Sequence, residues 1–143
     1  MKTANALVAL LLVIGLPASG MCEEVSAPAV QTHEGITYVS GGVGLGEREA
    51  MQQMAKDYNL RLSFAAKGTG TYLADIKVTI RDGKGKQVLD ALSGGPWFFA
   101  KLPAGKYRVT AEEDGRPLVQ KADLSGGRHA ALYFYWPEHG GKP

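Results

Sequence analysis

The chain has 143 residues, of which 45% are hydrophobic and 21% charged, a composition typical of one globular domain. Its 16 basic and 14 acidic residues give a formal net charge of +2, and no basic run occurs, so nucleic acid is not expected as a partner. The 19 glycines favour the many turns of a short-stranded β protein, and the single cysteine, Cys22, excludes an intramolecular disulfide.

Residues 1–20 have the pattern of a secretory signal peptide. Lys2 precedes an apolar stretch of eleven residues, Ala6 to Leu16, which Pro17 ends before the small residues Ala18-Ser19-Gly20. A bilayer span needs about twenty apolar residues, so this stretch is too short for one. We therefore predict export to the periplasm of a protein that does not span the membrane.

Cys22 lies just after the predicted cleavage site, where a lipoprotein carries its lipid-modified cysteine. Because Met21 stands where the lipoprotein signal has a small residue, a free thiol is favoured and lipid anchoring is the alternative. Residues 21–35 lack an apolar period and are predicted to be a flexible leader. Residues 138–143 are predicted to be a flexible tail.

The predicted domain, residues 36–137, begins with a short strand at Ile36 to Val39 and a glycine-rich segment. A helix is predicted from Glu47 to Tyr58, with an apolar face made by Met51, Met54, Ala55 and Tyr58. From Asn59 the apolar period switches to two, and short strands alternate with glycine turns. The pattern predicts a mainly β fold, an antiparallel β-sandwich of seven or eight strands with one short α-helix before it.

A family pattern runs from Ala74 to Ala111. It consists of an alternating strand and three turn or strand segments: Ile76, Val78 and Ile80, then Asp82-Gly83-Lys84-Gly85-Lys86, Gly95-Pro96-Trp97-Phe98 and Leu102-Pro103-Ala104-Gly105-Lys106-Tyr107. This pattern resembles the carboxypeptidase regulatory-like domains, which are small prealbumin-like or immunoglobulin-like β-sandwiches, and the whole chain is similar to short proteobacterial exported proteins that contain one. The resemblance implies a fold, and no catalytic residue is carried over with it.

Three residues of this pattern are predicted to form a structural turn. Pro103 fixes φ, Gly105 relieves crowding, and Tyr107 enters the next strand, where its hydroxyl can bond the backbone a few residues upstream as a tyrosine corner.

No motif indicates catalysis, a cofactor or a metal. The segment Gly41 to Gly46 lacks the third glycine of a dinucleotide loop, because Glu47 stands in its place, and a hinge is the preferred interpretation. The loop that begins at Asp82 has lysines where calcium ligands are needed. The histidines have no metal-ligand spacing. A hydrolytic centre would have to combine Ser63 or Ser93 with His129 and Asp123, without a nucleophile-elbow sequence.

Two strands carry aromatic residues on both faces, whereas a sandwich strand normally buries only one face. The candidate aromatic binding face consists of Trp97, Phe99, Tyr133 and Tyr135. Coverage of one of these aromatic faces by the helix is the favoured interpretation, and the helix is then predicted to pack on the sheet and bury Met51 and Met54. A binding platform is the alternative. The expected function is a non-catalytic periplasmic accessory or binding module for an envelope protein, peptide or glycan. The alternatives are a structural or assembly partner in the envelope and, last, a hydrolase.

Overall fold

A computed structural model describes residues 27–138, together with the isolated glycines Gly15 and Gly20. The predicted signal peptide, apart from those two glycines, lies outside the described residues, as do Cys22 and His139. So do residues 21–26 of the predicted leader and residues 139–143 of the predicted tail.

The described residues form nine strands, one α-helix and two short 3-10 helices. The strands are β1 (Gln31–His33), β2 (Ile36–Gly41), β3 (Leu60–Ala66), β4 (Ile76–Asp82), β5 (Gln87–Ser93), β6 (Trp97–Lys101), β7 (Lys106–Glu113), β8 (Arg116–Asp123) and β9 (Ala130–Trp136). The α-helix, α1, spans Leu45–Met54, and the 3-10 helices span Ala55–Asp57 and Ser125–Gly127. Among these residues, no helix is long and apolar enough to cross a membrane.

Two sheets stack as a β-sandwich. The first has the order β1-β2-β6-β3-β9 and the second the order β5-β4-β7-β8. All neighbouring strands are antiparallel except β3 and β9, which run parallel from the Leu60–Ala130 pair to the Ala66–Trp136 pair. The predicted mainly β sandwich with one short helix is confirmed, with nine strands described instead of seven or eight.

The inward sides of the strands make one apolar core between the sheets. Its largest buried rings are Phe64, Phe98, Phe134 and Trp136, and Tyr38 stacks on Phe98 with ring centroids 5.4 Å apart. These residues alternate in sequence with outward side chains, because successive residues of a strand point to opposite faces. The alternation in β3 and β9 therefore also fixes which side chains point away from the core.

The segment predicted to be a flexible leader contains strand β1. Gln31 pairs with Tyr38 in the ladder between β1 and β2, and the Tyr38 hydroxyl donates a hydrogen bond to Gln31 Oε1 at 2.8 Å. A three-residue strand of exposed side chains has no apolar alternation, so its sequence carries no strand signal. At the other end, Thr69 donates a hydrogen bond to Glu138 Oε1 at 2.8 Å.

Candidate functional site

The outer face of the first sheet is covered by α1 over part of its width. Met51 is fully buried at 0% exposure, in a cluster with Val39, Tyr58 and Phe99. Met54 is half-buried beside this cluster. The prediction that the helix packs on the sheet and buries its methionines is confirmed for Met51 and holds in part for Met54. Burial raises the pKa of Tyr58, and the adjacent Asp57 carboxylate raises it further.

The glycine-rich segment fastens the start of α1 to the sheet. Glu47, in the first turn, accepts a hydrogen bond from the Gly42 backbone N–H at 2.8 Å, and Arg48 Nε donates to the Gly42 carbonyl at 2.9 Å. Gly42 has a φ of 92°, and a Cβ at this position would lie only 3.3 Å from the Trp97 ring. This segment is predicted to be a hinge, whereas these hydrogen bonds hold it against the first turn of α1.

The rest of the outer face forms an open trough of about 560 Å³, which we call the aromatic trough. It is lined by residues of α1, the following 3-10 helix, β3, β6, β9 and the loop after β3: Gln52, Ala55, Arg61, Ser63, Ala65, Gly70, Tyr72, Trp97, Phe99, Ala131, Tyr133 and Tyr135. Its volume lies within the range of small-ligand pockets.

The strand register explains the shape of the trough. Ser63 of β3 lies opposite Trp97 of β6 on one side and opposite Tyr133 of β9 on the other. Ala65 pairs with Tyr135 in the same way. The strands β6 and β9 are about 10 Å apart with β3 between them, because neighbouring strands are about 4.8 Å apart. Small side chains on β3 therefore leave a floor between two walls of rings.

All four residues of the predicted aromatic face line the trough. Trp97 and Phe99 stack with centroids 6.3 Å apart and an interplanar angle of 19°, and Phe99 lies under the helix. On the opposite wall, Tyr133 is 57% and Tyr135 52% exposed. The predicted face is thus divided into a covered aromatic wall and an exposed one.

Sequence reasoning missed two further residues of the trough. Tyr72 closes one end, where it makes an edge contact with Trp97 at 6.5 Å, and the Arg48 guanidinium lies 4.7 Å above its ring. Arg61 projects from β3 between Phe99 and Ala131. Tyr72 follows an irregular loop without a period, whereas the outward position of Arg61 was visible in the alternation of Leu60, Leu62 and Phe64.

The predicted turn is observed at the start of β7. The Tyr107 hydroxyl donates a hydrogen bond to the Pro103 carbonyl at 2.6 Å, as expected for a tyrosine corner. Burial raises the pKa of Tyr107, and the Asp82 carboxylate raises it further. The role predicted for Gly105 needs correction. A Cβ there would meet the Tyr107 ring at an ordinary 3.7 Å, so the reason for glycine is the φ of 155° and not crowding.

The residues considered for hydrolysis do not form a centre. Ser93 is buried and donates to the Gly95 carbonyl at 2.7 Å, while Asp123 accepts from the Ser125 hydroxyl at 2.5 Å and pairs with Arg128 at 3.0 Å. His129 is exposed. Tyr133, which pairs with Ser63, follows His129 after roughly 13 Å of extended chain, so His129 does not lie beside Ser63. Within residues 27–138, no group of three potential metal ligands is present.

Comparison of the chain with known protein families finds no matching family model, and comparison with curated proteins finds no significant match.

Proposed function

We propose that this protein is a non-catalytic binding module of the bacterial cell envelope and that the aromatic trough is its binding site. Export to the periplasm is proposed from the signal-peptide pattern of residues 1–20. The resemblance of residues 74–111 to carboxypeptidase regulatory-like domains is consistent with this proposal, since such domains are appended to exported proteins.

The exposed wall of the trough carries the proposal. Tyr133 and Tyr135 hold more than half of their surface in solvent, although they lie next to a wall of stacked rings. Large apolar surface that is concave and bordered by polar groups is typical of binding sites. Tyrosine offers a flat apolar ring with a hydroxyl at its tip, which suits a ligand that has both flat and polar surfaces.

Hydrolysis is the weaker hypothesis because two of the candidate side chains, Ser93 and Asp123, are already engaged elsewhere. The Ser93 hydroxyl is buried in its own turn, and Asp123 is bonded to Ser125 and Arg128. General acid-base and nucleophilic catalysis both require such groups within hydrogen-bond reach of one another. We therefore assign no catalytic role to these residues.

A sedimentation assay with isolated envelope material tests the proposal. The double variant Tyr133→Ala with Tyr135→Ala is compared with the natural chain and with Leu92→Ala with Val119→Ala, which removes two exposed apolar side chains from the other sheet. We expect the tyrosine variant to bind roughly tenfold more weakly or worse, since aromatic residues at the centre of a site dominate affinity. The control should bind normally.

Treatment of the envelope material with protease before the assay separates glycan from protein partners. The proposal is contradicted if the natural chain and the tyrosine variant bind the envelope material equally well. Equal losses in both double variants would also contradict it, because the effect would then not be specific to the trough.

A further inference from the structure

The floor of the aromatic trough contains a cation, Arg61, with one buried donor that has no hydrogen-bond partner. Arg61 is half-buried, and its Nε is closed off from solvent without a hydrogen-bond partner. A buried donor that is left without an acceptor is destabilising, and more so when the group is charged. Arg61 is therefore poorly explained as a residue that stabilises the sheet.

The charges of the trough are not balanced. Its lining contains Arg61 and no Asp or Glu. The acidic side chain at the start of the helix, Glu47, is directed to the Gly42 N–H. A site whose only formal charge is an arginine favours an anionic ligand, and the planar guanidinium matches a carboxylate in particular.

The other polar side chains of the trough are neutral. They are the Ser63 hydroxyl, the Gln52 amide and the hydroxyls of Tyr72, Tyr133 and Tyr135. Such groups can exchange hydrogen bonds with the hydroxyls of a sugar, while the tyrosine rings offer flat surfaces to its apolar face.

A peptide added to the sheet as a strand is less well accommodated. Strand β9 is the edge of the first sheet, but its Tyr133 carbonyl accepts a hydrogen bond from Gln120 Nε2 of β8 at 2.6 Å. Strand addition would need such edge carbonyls for the incoming backbone. The trough lies on the face of the sheet, where side chains and not a strand edge are offered.

We propose that the trough binds an acidic saccharide, with a sugar ring against Tyr133 and Tyr135 and its carboxylate paired with Arg61. This inference rests on the proposed function and names the ligand class of the same site. To pair with a carboxylate, the Arg61 guanidinium would have to turn towards the ligand. This rotation would also move Nε out of the position in which it has no hydrogen-bond partner.

Tryptophan fluorescence gives a direct titration. The chain has two tryptophans, and Trp97 lines the trough while Trp136 is only 1% exposed in the core. The probes are trigalacturonate, its methyl ester, which has the same rings without charge, and triglutamate, which has carboxylates without sugar rings. We expect trigalacturonate to bind best and to bind more weakly as salt concentration rises.

Arg61→Gln is expected to weaken trigalacturonate binding roughly tenfold to a hundredfold, the range of a charge-assisted hydrogen bond. Arg61→Lys should restore part of the affinity, because it keeps the charge but loses the planar pair of donors. The matched control, Arg108→Gln, removes an exposed cation from β7 of the other sheet and should bind as the natural chain does. Thermal unfolding of each variant verifies that it is folded.

The outcomes separate this inference from the proposed function. Equal affinity for trigalacturonate and its methyl ester, equal affinity for triglutamate, or full affinity in Arg61→Gln would overturn the acidic-saccharide inference while the trough could still be the binding site. Absence of binding to all three probes, with tyrosine-dependent binding to envelope material intact, would overturn it as well. Loss of the tyrosine dependence would overturn both proposals.

Discussion

Two halves of the same sheet face differ in what covers them. Over β2 and β6, the helix places Met51 against Val39 and Phe99, and this half has become a second small core. Over β3 and β9, Tyr133 and Tyr135 remain more than half exposed beside a floor of two small side chains and one arginine. The aromatic residues of these strands therefore either pack against the helix or remain exposed in the trough, and the residues around them determine which.

The covered half is explained by the reach of the helix. A ten-residue helix is about 15 Å long, and the contacts of Glu47 and Arg48 with Gly42 hold its first turn near the end of β2. From this position it contacts β2 and borders the trough through Gln52, with Ala55 just beyond its end. A helix of this length is marginal alone in water, so packing of its apolar side supplies its stability.

The largest effect should come from the covered half. Met51→Ala is expected to destabilise the protein by about 2–5 kcal/mol, because it leaves a cavity between the helix and Phe99. Met54→Ala should be milder, since Met54 is only half-buried. Urea unfolding measures both changes in the free energy of unfolding. The Tyr133→Ala with Tyr135→Ala variant should stay within about 0.5 kcal/mol per substitution, as for ordinary surface changes. Equal losses in the two halves would show that the comparison is wrong.

A smaller effect is expected at the turn before β7, where an aromatic residue, Tyr107, anchors the backbone through its hydroxyl. Gly105→Val should destabilise by roughly 1–3 kcal/mol, since a β-branched residue is strained at the φ of this glycine. Tyr107→Phe should cost about 1 kcal/mol through loss of the hydroxyl bond to Pro103. Neither change should affect ligand binding. Calorimetry measures the change in stability, and a binding assay measures the affinity. Unchanged unfolding of Tyr107→Phe would remove the structural role of its hydroxyl.

The smallest effect concerns Asp123 at the end of β8. The Ser125 hydroxyl and backbone N–H, followed by Arg128, lower the pKa of Asp123 below its ordinary value of 3.8. A lowered carboxyl pKa contributes stability that is present above the unfolded value and is lost as pH falls through the folded value. Asp123→Asn should therefore lose stability at neutral pH and show a flatter acid limb below about pH 4. Asp90→Asn, at an exposed position of β5, is the control for thermal unfolding across this pH range. An identical acid limb in Asp123→Asn and the natural chain would contradict the effect.

Much of the fold was accessible from sequence because it depends on local periods. The alternation of β4 and β7, the helix stripe through Met51 and the turn at Gly105 each reflect a repeat of two or 3.6 residues or a fixed turn chemistry. The parallel pairing of β3 with β9 joins segments about seventy residues apart in the chain, as in the Leu60–Ala130 pair, and a period does not reveal strand direction. Strand β1 has no apolar pattern at all.

The candidate site was accessible only in part for the same reason. Four aromatic residues could be selected because they break the one-sided rule for sandwich strands. Which of them the helix covers depends on register, and register places Ser63 between Trp97 and Tyr133. Tyr72 enters the site through a tertiary contact that no local pattern encodes. For Arg61, alternation shows that the side chain points outward, whereas strand register places it beside Phe99.

Chemical footprinting of the tyrosines tests the central claim most directly, namely that the bare half of the sheet face binds the ligand and the covered half does not. The chain has six tyrosines, so nitration followed by peptide mass spectrometry can score each of them. In the free protein we expect Tyr133, Tyr135 and Tyr72 to be modified, and the buried Tyr58 and Tyr107 to be spared. Saturation with the bound envelope fraction or saccharide should protect Tyr133 and Tyr135. Unchanged modification of both residues in the saturated protein would contradict the account.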